Sequence, residues 1–219
     1  PKALGQSVLC MFYYNAMNVM NKIFLLLKDE KTAKECLERA KKVKKAINMY
    51  LFDAKEGLYT GGLNTPNEIP ENEWLPANTD KKYYLKQANV LAVLYDIADK
   101  KDKEHIINYI LADLKKEEMQ PYFYHFLLEM LYKEGLFEKY SISLISRYRG
   151  MIEKCDKGLC EGWEEWDGDC SHAWAGTPAY MLKKALSGFE MIEAGYKKVK
   201  LSPSLMGLEY ANFEISTPY

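Results

Sequence analysis

The sequence predicts a mainly helical chain of antiparallel helical hairpins with a short C-terminal β tail, and three observations predict it. Apolar residues recur at three- and four-residue steps in successive stretches from Val8 to about Leu186. The links between most of these stretches are short, about three to eight residues, which makes consecutive helices antiparallel neighbours. Beyond them the period changes to the two-residue alternation of strands.

Each element has its own signal. Residues 7–28 form the first helix, with Val8, Met11, Phe12, Asn15, Val19, Ile23 and Leu26 along one side. Asp29-Glu30-Lys31 ends it, and Thr32 with Glu35 reads as a capping box opening a second helix to about Phe52. The stretch Glu56 to Gly62 is short, glycine-bounded and β-prone, and Asn64 to Asp80, with Pro66, Pro70 and Pro76, reads as a long loop. Helical spacing returns over Tyr84–Ala98, Glu104–Leu114, Pro121–Tyr132 and Phe137–Ile152, and once more from Pro178 to about Leu186, where Ser187-Gly188 closes it. Lys198–Ser202 and Leu208–Ile215 alternate as strands, so residues 1–190 are expected to be a helical body and 191–219 the start of a β domain. Two strands make no independent sheet, which suggests truncation or pairing with something else. No repeat of fixed period relates the hairpins, which counts against a regular helical array.

Thirty basic and 31 acidic residues leave a net charge of −1, so neither nucleic acid nor an anionic membrane surface is an expected partner. The run Lys41-Lys42-Val43-Lys44-Lys45 lies among Glu35, Glu38 and apolar residues at helical spacing and reads as a solvated helix face. Ile23 to Leu27 is too short an apolar run to span a bilayer. Five scattered cysteines suit a reducing, cytoplasmic compartment. A chain opening at Pro1 reads as a fragment or a processed product.

The chemistry concentrates in one stretch, Gly158 to Trp174 (GLCEGWEEWDGDCSHAW). It interleaves Glu161, Glu164, Glu165, Asp167 and Asp169 with Trp163, Trp166 and Trp174, and it includes His172. Sites that cleave carbohydrates need carboxyl groups to move protons and flat aromatic faces to stack on sugar rings. An acidic surface loop anchored to a core by its tryptophans is the structural alternative.

Two other chemistries compete. Cys155, Cys160, Cys170 and His172 supply zinc-type ligands, but zinc sites place them as close pairs, and this spacing has no such knuckle. Buried thiols account for the cysteines, and no metal or cofactor is implied. A cysteine nucleophile with His172 as base is conceivable; His105 falls on a charged helix start, and His125 sits in an aromatic run as a half-buried core histidine would.

Ser171-His172-Ala173-Trp174-Ala175-Gly176-Thr177-Pro178-Ala179-Tyr180, followed by Gly188 to Val199, resembles the end of the catalytic domain of bacterial α-L-rhamnosidase-like glycoside hydrolases. The likeness extends upstream through Gln87 to Ala92, Met119 to Phe123 and Gly150 to Ile152. It departs at Ala194, where the family phrase has proline. The resemblance implies roughly the C-terminal half of an (α/α) toroid of helical hairpins, ending in the first strands of a β-sandwich. It implies an inverting mechanism, in which one carboxylic acid protonates the leaving oxygen and a second carboxylate activates water. Glu161 falls in register with the family's general base, although Gly158 and Cys160 stand where the motif has threonine and tryptophan. Glu164, which follows a tryptophan, is the second candidate. His172 would bond sugar hydroxyls, and Trp163, Trp166 and Trp174 would be stacking walls.

The general acid comes, in that family, from an aspartate- and arginine-rich loop with no copy here, so the chain is expected to contribute only the base half of a site and to be nearly inactive alone. The reading from another class is a non-catalytic carbohydrate-binding or vestigial protein, with a homodimer covering the open half of the barrel.

Overall fold

The computed structural model describes residues 6–63, 82–112, 119–154, 158–163 and 172–218. The expected long loop over 64–80 lies outside them. The chain divides into two compact units, Pro1–Lys115 and Lys116–Tyr219.

The first unit opens with α1 (Ser7–Leu26) and α2 (Glu30–Tyr50), a helical hairpin. Its seam buries Met11 on α1 and, at steps of three, four and seven residues, the stripe Ala33, Cys36, Ala40 and Ile47 on α2. The cap differs from the expected one. Asp29, not Thr32, caps α2, its carboxylate accepting the Thr32 backbone N–H at 3.0 Å. Aspartate satisfies an unpaired first-turn donor and adds negative charge at the positive end of the helix, so it wins over a threonine three residues on.

β1 (Phe52–Asp53) and β2 (Leu58–Tyr59) then form a two-residue antiparallel ladder. It is too short to stand alone, and α3 (Lys86–Leu94) braces it. Buried Asn89 accepts the Tyr59 N–H at 3.0 Å and donates to the Tyr59 carbonyl at 2.9 Å, bonding the free edge of β2 as a third strand would. From Ala88 to Val93 the helix is buried on every side, which is why it has no polar face. α4 (Lys100–Leu111) starts earlier than the apolar spacing suggests, because its first turn is charged and only Ile106, Ile107 and Ile110 are buried.

The second unit runs α5 (Pro121–Lys133), α6 (Phe137–Ile145), a short 3-10 turn at Ser146–Tyr148, and α7 (Arg149–Lys154). The single helix expected over 137–152 is therefore interrupted. Ser143 donates to the Tyr140 carbonyl and Ser146 to the Ser143 carbonyl at 2.8 Å, local bonds that compete with the α-helical ladder. After a second 3-10 turn at Ala173–Gly176, α8 (Thr177–Ser187) takes Pro178 in its first turn, where a missing N–H costs nothing. Lys184 of α8 pairs with Glu129 of α5 at 2.9 Å.

Gly188 ends α8 in the left-handed region, with φ at 55°. β3 (Glu190–Glu193) and β4 (Lys198–Lys200) follow as an antiparallel hairpin in which Met191 faces Val199. The strand expected over Leu208–Ile215 is not formed; alternation supplies a two-sided pattern, but a strand exists only where another offers its ladder. The mainly helical class with a β tail is as expected. Among the described residues, no helix is long and apolar enough to cross a membrane.

Candidate active site

The site is assembled in the second unit at the start of α5. Gln120 is extended and Pro121 occupies the first helical position, so the helix begins sharply there. The segment 158–163 is stitched to α7 and to the start of α5 by backbone donors. Cys160 N–H reaches the Met151 sulfur at 3.2 Å, and Trp163 N–H reaches Gln120 Oε1 at 3.3 Å. His172 N–H bonds the Leu159 carbonyl at 2.8 Å, which lays residues 172–176 beside the acidic segment.

Trp163 is the anchor. Only 3% exposed, it donates its indole N–H to the Met119 carbonyl at 2.8 Å. Tyr124 and Tyr148 meet it edge to face at 4.8 and 4.9 Å. Arg147 donates to the Tyr124 hydroxyl, and Tyr148 donates to the Pro121 carbonyl at 3.3 Å. Burial pushes both phenols above their ordinary pKa, so the cluster stays protonated and neutral apart from the arginine. An indole enclosed in this way offers no face to a sugar, and the expected stacking role of Trp163 is corrected to a structural one.

Glu161 and His172 stand at the surface of this anchor. Glu161 Oε2 lies 4.0 Å from His172 Nε2, with half of the Glu161 side chain and about a quarter of the imidazole exposed. That gap exceeds a direct hydrogen bond, yet one oxygen atom of a water or a sugar hydroxyl can sit about 2.8 Å from both. The imidazole packs at 4.7 Å against Trp174, which is 41% exposed. The Thr177 hydroxyl bonds the Trp174 carbonyl at 3.2 Å, fixing the turn that presents it. Thr177 also faces His125 Nδ1 at 3.4 Å, so His125 is a supporting residue behind the turn.

The structure thus brings together Glu161, His172 and Trp174 at the surface and withdraws Trp163 into the core. Glu164 and Trp166 lie outside the described residues. Sequence reasoning missed Tyr122, whose ring meets Trp174 at 5.4 Å. Its signal was present in the Met119-Gln120-Pro121-Tyr122-Phe123 run, where proline at a helix start leaves the next side chain on the exposed first turn. Among the described residues, no group of three or more histidine, cysteine, aspartate or glutamate side chains is placed to hold a metal ion. Cys160 is buried, while Cys155 and Cys170 lie outside the described residues.

A carboxylate and an imidazole can exchange or share protons, and an open indole face can stack on an apolar ring face. No protein-family model matches the sequence, and no curated protein matches it. In three dimensions the chain is similar to a GH78 family rhamnosidase of Bacillus sp. GL1, seen in a crystal structure, with a TM-score of 0.71 and 18% identity. The likeness covers 90% of this chain and 21% of that one, so the chain spans about a fifth of the rhamnosidase. At that identity the likeness is one of fold: the helical hairpins and β tail described above are those of a rhamnosidase-like fold.

Proposed function

We propose that the chain is the base-bearing part of an inverting glycoside hydrolase that resembles α-L-rhamnosidases. The observation that carries this reading is the placement of Glu161 4.0 Å from His172, beside the exposed indole of Trp174, in a fold shared with a rhamnosidase. Glu161 takes a proton from the water that attacks the anomeric carbon. His172 bonds a ring hydroxyl and orients that water, and Trp174 stacks on the apolar face of the sugar. Protonation of the leaving oxygen falls to a second carboxyl, which in inverting enzymes stands about 6.5–9.5 Å from the base. Glu164 is the second candidate for the base and Trp166 for a further wall. In this reading residues 1–190 belong to the helical barrel, and 191–219 begin a β domain.

The test is hydrolysis of an aryl α-L-rhamnoside by the protein made with whatever precedes Pro1 in its gene, with the configuration of the released sugar followed by NMR. Turnover with inversion that falls roughly 10²–10⁴-fold in Glu161→Gln supports the enzyme. Saturable sugar binding with no turnover replaces it with the non-catalytic, carbohydrate-binding reading. A homodimer belongs to that second reading: α1 exposes Leu9, Ile23 and Leu26, a face a second copy could cover, and sedimentation would report it.

A further inference from the structure

We infer that Tyr122 forms a second sugar subsite beside Trp174, so that the site takes a ligand of at least two linked rings rather than a lone monosaccharide. The inference rests on the reading of Glu161, His172 and Trp174 as a carbohydrate site. Three observations carry it.

Trp174 is the shared member of a row. Its ring contacts His172 at 4.7 Å and Tyr122 at 5.4 Å, so aromatic surface continues about one ring beyond the part that Glu161 and His172 address. Tyr122 also stands apart from its neighbours in sequence. Phe123 and Tyr124 turn inward and are buried, whereas Tyr122, on the first turn of α5, is 44% exposed. Its hydroxyl makes no hydrogen bond among the described residues and is available to a ligand.

The ring is nevertheless held in place. Phe126 meets it edge to face at 5.7 Å and Trp174 at 66° to its plane, so stacking a sugar on it immobilises little that is not already fixed. The angle between the two rings makes a corner, which suits two pyranoses twisted about a glycosidic bond better than one extended flat molecule. The aromatic wall of a cavity of about 620 Å³ elsewhere in this unit is already covered. There Lys184 Nζ already lies over Tyr132 at 4.5 Å and over Tyr180 at 5.5 Å.

Calorimetric titration of the whole chain with L-rhamnose and with a rhamnosyl-glucose disaccharide tests the subsite. The disaccharide is expected to bind the wild type about tenfold more tightly. In Tyr122→Ala that ratio collapses to about one, and in Tyr122→Phe, which keeps the ring, most of it returns. Trp174→Ala weakens both sugars. Equal affinity of the wild type for the two sugars, or a ratio untouched by Tyr122→Ala in a variant with wild-type circular dichroism, overturns the inference while leaving the carbohydrate reading standing. Failure of the wild type to bind either sugar overturns both.

Discussion

Nε2 of His172 stands 4.0 Å from Oε2 of Glu161, and a backbone bond from His172 N–H to the Leu159 carbonyl at 2.8 Å ties together the two segments that carry them. The two side chains come from different segments, 158–163 and 172–176, and face each other across a gap. If that gap holds the attacking water and a sugar hydroxyl, the two residues should fail differently. Glu161→Gln should cut kcat by roughly 10²–10⁴-fold with little change in KM, since it removes proton transfer and keeps the shape. His172→Ala should raise KM about tenfold, which steady-state kinetics would separate from the first effect.

Trp163 and Trp174 lie close in sequence and opposite in role. Trp163→Ala should destabilise the fold by about 3–5 kcal/mol through the cavity it leaves between Tyr124 and Tyr148. Trp163→Phe should cost about 1 kcal/mol for the lost bond to the Met119 carbonyl, with adjustment for the smaller ring. Trp174→Ala should stay within about 0.5 kcal/mol of the wild type and weaken sugar binding. Urea unfolding together with calorimetry distinguishes the two, and a Trp174 variant that unfolds as easily as the Trp163 one would contradict the assignment.

Asp53 gives the first unit a dependence on acid. The Lys82 ammonium at 2.6 Å and the Tyr84 hydroxyl at 2.8 Å hold its carboxyl well below the usual carboxylate range. A lowered carboxyl pKa contributes stability above the unfolded value of about 3.9 and loses it as pH falls through the folded value. Asp53→Asn should therefore unfold at lower urea near neutrality and show a flatter decline of its urea midpoint below about pH 4.

The same bond acts on the other partner. Donating to Asp53 pushes the Tyr84 phenol up to about 12, so its contribution is present below the ordinary tyrosine value and is lost as pH rises through about 12. Tyrosinate absorbance should lose one late-ionising group in Tyr84→Phe, from a set that also includes the buried Tyr59, Tyr124 and Tyr148. A titration unchanged by that substitution would argue against the pairing.

Gly188 and Gly135 separate backbone strain from steric collision. Both have positive φ, 55° and 71°. A Cβ on Gly188 would stand 1.9 Å from the Ser202 carbonyl oxygen, whereas one on Gly135 would meet nothing within 4 Å. Gly135→Ala should cost about 1–2 kcal/mol, the left-handed penalty alone. Gly188→Ala should cost several kcal/mol more, because Ser202 N–H also bonds the Gly188 carbonyl and the chain after β4 must move away from α8. Thermal unfolding of the two variants measures the difference.

The amphipathic helices were legible because a helix repeats every 3.6 residues, and burial of Ala33, Cys36, Ala40 and Ile47 follows directly from their spacing. The candidate site was legible only as a set of residue types. Glu161, His172 and Trp174 were named from chemistry and resemblance, yet nothing in GLCEGWEEWDGDCSHAW tells Trp163 from Trp174, because an indole serves equally as an anchor or an open face. The serine bonds that interrupt 137–152 and the Asp29 cap are local, but several nearby side chains could have made them.

The sequence by itself determined which segments are helical and that carboxylates, an imidazole and indoles gather near residue 165. The tertiary structure decided which of them meet. Bonds from 158–163 and 172 to Met119, Gln120 and Leu159 turn one indole inward and leave the other beside Tyr122. It also decided that Lys198–Lys200 pairs with Glu190–Glu193 while Leu208–Ile215 pairs with nothing among the described residues. A period is a property of one segment, whereas burial and strand pairing belong to two surfaces and are fixed only when the second is in place.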